Sequence, residues 1–164
     1  MACRGVFFAV TAHQAMQLEN ASGDDERVLE LVEEIEESWD EDNVAECDKA
    51  WDAMHRALTT GELEYGGGPY PLSHCVLGPR QLYQGDDYIV SLVSAHEVKD
   101  VATTLANVTE ASFGELYRTI VPQDYAPEYG DEDLEYTWSW FERVRDLYTK
   151  AAAQDRAVLF TVDQ

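Results

Sequence analysis

Three short apolar runs rich in strand-forming residues, separated by stretches with helical spacing, predict an α/β (α+β) fold. The expected architecture is a small mixed, mostly buried β-sheet with helices packed on both faces. The runs are Val6 to Val10, Tyr88 to Val93 and Val158 to Val162. Each is apolar along most of its length instead of alternating, which is the pattern of a strand covered on both sides. Strand order does not follow from this pattern, and the stretch 61–87 has room for a fourth strand.

The first strand is expected over Arg4 to Thr11, and Thr11 with Gln14 is a capping-box pair that opens a short helix from Ala12 to Leu18. After the turn cluster at 20–25, Val28, Leu29, Leu31, Val32, Ile35 and Trp39 repeat at helical spacing, with Glu30, Glu33, Glu34, Glu36 and Glu37 on the other side. This acidic helix is expected at about 24–42. Asn43 with Glu46 reads as a second capping box and opens a helix at 44–59 that Gly61 closes. Its apolar seam is Val44, Cys47, Trp51, Met54 and Leu58.

Residues 61–87 hold six of the ten glycines and three of the five prolines and form a glycine-rich loop region, with a short helical turn near Leu72, Cys75 and Val76. Gly66-Gly67-Gly68 is not followed by the Lys-Ser/Thr of a phosphate-binding loop. Beyond the second strand, Ser94 with Glu97 caps a helix carrying Val98, Val101, Ala102 and Leu105. Phe113, Leu116, Tyr117 and Ile120 mark another, which Pro122 ends. A tyrosine-bearing loop with Pro127 and Gly130 follows. Asp131, Glu132 and Asp133 then begin a long helix to about Gln154, and the helix dipole alone accounts for acids in its first turn. Two apolar stripes are expected on it, one with Leu134, Trp138, Phe141 and Tyr148, the other with Trp140, Val144, Leu147 and Ala151. The third strand closes the chain.

One domain over 1–164 is expected, large enough to bury a full core. Its 33 acids against 11 bases give a net charge of −22, which repels phosphate backbones and anionic lipid surfaces. Nucleic acid and membranes are therefore not expected partners; a basic protein or a small-molecule ligand is. Three cysteines without a CxxC pairing argue against a disulfide framework or a zinc site, and no cofactor is expected. No secretion signal or spanning segment is read from the chain, so a cytoplasmic location is the expectation. Oligomeric state is left open.

The order Asp48-Lys49-x-Trp51-x-x-x-His55-x-x-Leu58-Thr59-x-Gly61, a glycine-rich loop, then Pro71-Leu72-Ser73 and Val76-Leu77-Gly78 resembles the YfbM-like family, bacterial proteins known as domain of unknown function 1877. The resemblance runs from the Arg4-Gly5 strand to the C-terminal strand and is most specific in the central block. The acidic stretch at about 22–43 is longer and more charged than the family pattern. The resemblance implies a compact α/β fold and no established activity.

The candidate site residues are Asp48, Trp51, His55, Tyr65, His74, Arg80 and His96. On one continuous helix Asp48 and His55 would fall within about 20° of each other, at the edge of the apolar seam. Three readings follow. The first is a noncatalytic interaction or ligand-binding protein that uses the cleft between helix 44–59 and loop 61–87. The second is an enzyme with His55 as general base, its tautomer held by Asp48, although no nucleophile beyond Ser73 or Cys75 is near in sequence. In the third, Asp48 and His55 are purely structural, buried and bonded to the backbone of residues 61–80.

Overall fold

A computed structural model describes residues 3–125 and 128–164, and among these it contains four β-strands and six α-helices. The expected loop position Pro127 lies outside the described residues. In chain order the elements are β1 (Gly5–Val10), α1 (Ala12–Ala21), α2 (Asp25–Ser38), β2 (Val44–Asp48), α3 (Trp51–Leu58), β3 (Tyr88–Val93), α4 (Ala95–Leu105), α5 (Glu110–Tyr117), α6 (Asp131–Ala153) and β4 (Ala157–Asp163). Short 3₁₀ turns lie at Glu41–Asn43 and Leu72–His74.

The strands form one sheet in the order β2-β1-β4-β3. All three pairings are antiparallel, so the expected mixed sheet has a single pairing type. Side-chain alternation splits the core into two layers. Phe7 and Ala9 join Cys47, Val158 and Phe160 under α3 to α6, whereas Phe8 and Val10 join Leu159, Val90 and Leu92 under α1 and α2. Helices therefore cover both faces, which is why the strands read as continuous apolar runs.

Local signals set most helix starts. Thr11 and Gln14 form a reciprocal capping box at α1, and Ser94 and Glu97 do the same at α4. Asp24 caps α2, whose Val28, Leu31, Val32 and Ile35 are buried. The long helix α6 has one buried stripe where two were expected: Thr137, Phe141, Val144, Leu147, Tyr148 and Ala151.

The expected helix 44–59 is a strand, a turn and a shorter helix. Val44 to Asp48 pairs with β1, burying Ala45 and Cys47 and leaving Glu46 exposed, a period of two. Pairing satisfies the β1 edge, and tertiary hydrogen bonding here overrides the helical spacing of Val44, Cys47 and Trp51. Asn43 belongs to the preceding 3₁₀ turn, where Asp40 accepts from the Asp42 amide, so the expected Asn43/Glu46 cap does not form. Asp48 turns the chain with φ +47°, and the Ala50 amide donates to the Cys47 carbonyl at 3.0 Å. Glycine is required opposite this strand: a Cβ on Gly5 would lie 2.8 Å from both Cys47 Sγ and the Phe160 ring.

The two sheet edges differ. Outside β3, residues 80–82 add a short extra pairing through Leu82 N–H to the Val90 carbonyl at 2.9 Å and Leu92 N–H to the Arg80 carbonyl at 3.2 Å. No comparable segment lies outside β2 among the described residues. This short edge strand carries Glu46 and is preceded by Asp40, Glu41 and Asp42.

Candidate functional site

His55 is fully buried, and both ring nitrogens are taken by the backbone of the glycine-rich loop. Nε2 lies 2.6 Å from the Glu64 carbonyl and Nδ1 accepts from the Leu77 amide at 3.3 Å, which selects the tautomer protonated at Nε2. Burial holds the imidazole below its ordinary pKa, against the smaller opposing effect of the Glu64 carbonyl. The loop closes further through Gly66 N–H to the Leu77 carbonyl at 2.7 Å and Gly61 N–H to the Arg56 carbonyl at 2.9 Å. Gly61 has φ +85°, and a Cβ there would sit 2.2 Å from the Thr119 carbonyl oxygen. The helix and loop are thus joined along the line where the sequence suggested a cleft.

Asp48 does not orient His55. Because Asp48 ends β2 instead of continuing α3, its carboxylate turns to other partners: it accepts from Tyr136 Oη at 2.7 Å and pairs with Arg4 at 3.4 Å. The two halves of the structural reading therefore separate, with His55 bonded to loop backbone and Asp48 bonded to α6. The other candidates fall in different places. Trp51 is buried, donates from Nε1 to the Cys3 carbonyl at 3.0 Å and packs on Phe160. Tyr65 is exposed on the loop, and His96 is exposed in the first turn of α4. His74 and Arg80 do meet, through Glu97: His74 Nε2 is 2.9 Å from one carboxylate oxygen and an Arg80 nitrogen 3.3 Å from the other. Burial pushes Glu97 up, but the Ser94 hydroxyl and amide, with Arg80 and His74, hold its net value below the usual range. Ser73 and Cys75 are both buried, and burial raises the Cys75 thiol, keeping it neutral.

A concavity with tyrosines and charged groups in its walls lies elsewhere, between the start of α3 and the start of α6. It encloses about 530 Å³ and is lined by Lys49, Asp52, Tyr125, Glu128, Glu132, Asp133 and Tyr136. That is within the ordinary size of small-molecule clefts, roughly 300–1,000 Å³. Asp133 Oδ2 accepts from Tyr117 Oη at 2.5 Å and Tyr125 Oη at 3.0 Å. On the α3 side, Asp52 pairs with Arg56 at 2.5 Å. Burial, reinforced by Asp133, raises Tyr117 and Tyr125, and burial together with Asp48 pushes Tyr136 up to about 12. All three phenols therefore keep their protons near neutral pH. A second hollow of about 400 Å³ beside β2 is lined by both signs of charge, including Glu46, Asp146, Arg143 and Lys150.

Of the cleft residues, Lys49 stood in the sequence only as part of the family-like motif, and Glu132 and Asp133 had a sufficient explanation in the helix dipole. Among the described residues, no three His, Cys, Asp or Glu side chains are placed to hold a metal ion. No helix there is long and apolar enough to cross a membrane.

Two-sided helical cover on a four-stranded antiparallel sheet, with α3 riveted to a glycine-rich loop, belongs to a known class of fold. A family model described as domain of unknown function (DUF1877) matches residues 1–161, and the chain is a member of that family. Among solved structures, the crystal structure of YfbM from Escherichia coli, a protein of unknown function, is similar with a TM-score of 0.68. The similarity covers 97% of this chain and 99% of that one at 18% identity, and so is a likeness of fold. No curated protein matches the chain.

Proposed function

We propose that this protein is a noncatalytic binding protein of the bacterial cytoplasm whose ligand or partner site is the cleft between α3 and α6. The observation that carries this reading is the contrast between a sealed helix–loop seam and an open concavity lined by two tyrosines and several hydrogen-bonding groups. The cleft replaces the helix–loop junction as the place of binding. Among the described residues its lining contains no histidine, cysteine or serine, and its phenols stay protonated, which favours recognition over Ser–His or Cys–His chemistry. A reducing compartment suits three free cysteines.

The test is a screen of a fragment set of cationic, neutral and anionic compounds against ¹⁵N-labelled protein. Amide shifts expected on binding cluster at Lys49, Asp52, Glu132 and Tyr136. Shifts that cluster instead around His55, Glu64 and Leu77 would return the site to the helix–loop seam and overturn the reading.

A further inference from the structure

The chain's own Arg56 shows what the wall of this cleft holds well. Its guanidinium meets Asp52 at 2.5 Å and lies over the Tyr125 ring, 5.5 Å from the centroid, and the side chain is only 6% exposed. A carboxylate at the edge and a phenol at the face suit a planar, delocalised, weakly hydrated cation. With Asp52 so engaged, the cleft lining among the described residues retains Glu128, Glu132 and Asp133 against Lys49. Asp133 uses Oδ2 for both tyrosine hydroxyls, and its Oδ1 receives no hydrogen bond among the described residues. An anion entering here would face a net negative lining, and a neutral donor would leave that charge uncompensated.

Resting on the reading of this cleft as the binding site, we propose that its ligand is a second guanidinium carried on an unbranched aliphatic stem. The head group forks onto Asp133 and Glu132, and the stem lies along Tyr125 and Tyr136. An ammonium is a poorer fit, because a compact, strongly hydrated charge neither forks onto a carboxylate nor stacks on a ring. Lys49 opposes the ligand and sets a penalty that its removal relieves.

Calorimetric titration of the full chain with n-butylguanidinium, n-butylammonium and pentanoate tests this. The expected order is guanidinium tightest, ammonium next and pentanoate weakest by at least about tenfold. Glu132→Gln should weaken butylguanidinium binding by about threefold, and Lys49→Met should tighten it by a similar factor. Pentanoate binding as tightly as butylguanidinium, with amide shifts at Lys49 and Tyr136, would overturn the ligand class and leave the cleft as a site. Butylguanidinium binding that ignores both substitutions would overturn the placement. No shift at those amides with any of the three probes would overturn the site reading itself. An N-acetylated, C-amidated Ala-Arg-Ala peptide separates sources: tighter binding than butylguanidinium supports an arginine side chain of a polypeptide, and weaker binding supports a free small guanidine.

Discussion

Helix α3 borders two regions that use polar groups in opposite ways. Along the seam with residues 61–78, His55 spends both nitrogens on backbone partners and is fully buried, and the loop is anchored to the core through His55 and its buried Cys75 to Leu77. At the cleft with α6, Asp52 and Asp133 engage some partners and leave other oxygens open, around a space large enough for a ligand. A polar side chain of either kind looks the same in a sequence. What separates the two is whether the surrounding backbone consumes its hydrogen bonds or leaves them for a guest.

Breaking the seam should have the largest effect. His55→Ala removes the partners of the buried Leu77 amide and the part-buried Glu64 carbonyl and empties the space of a fully buried ring, a loss of about 3 kcal/mol in urea unfolding. A cost near zero would show that the loop holds itself and that His55 is free for another task. Gly61→Ala comes next, at about 2 kcal/mol, because a left-handed backbone and the Thr119 carbonyl both oppose a Cβ. The pH dependence is gentler. Since burial lowers the His55 pKa, the unfolded chain takes up its proton first as pH falls, so this stability is whole above about pH 6.5 and is lost below it. The slope from this group is at most about 1.4 kcal/mol per pH unit. His55→Gln should lack it, so the stability difference between the parent and this variant should change with pH by that slope from pH 7 downward. Smallest of all, Glu132→Gln in the open cleft should leave stability within about 0.5 kcal/mol of the parent. A larger loss would make the cleft a structural region and erase the contrast.

The same contrast explains how much could be read from the chain. Strands β1, β3 and β4 and the starts of α1 and α4 rest on local signals, apolar runs and the Thr11/Gln14 and Ser94/Glu97 pairs, which the structure uses as expected. Strand β2 was hidden because Val44 and Cys47 continue the helical spacing of Trp51, Met54 and Leu58, and only pairing with β1 decides between the periods. Placing Asp48 on α3 followed from that error, and with it the supposed Asp48/His55 pair. The cleft was illegible for a different reason. Asp52 and Asp133 are far apart in sequence, and nothing local signals that α3 and α6 begin side by side. The bond from Tyr136 to Asp48 joins the same two regions and is equally invisible until the chain is folded.

The uneven sheet edges bear on how the protein behaves in a crowd. On the β3 side the chain supplies its own cover, whereas the β2 side relies on a short strand flanked by Asp40, Glu41, Asp42 and Glu46. Two molecules meeting edge to edge through β2 would bring those carboxylates together, and their mutual repulsion at neutral pH opposes pairing of the two sheets. That safeguard is a charge and fades with it. Near the isoelectric point of about 4.2, or in concentrated salt, the bare edge is the place from which self-association should begin.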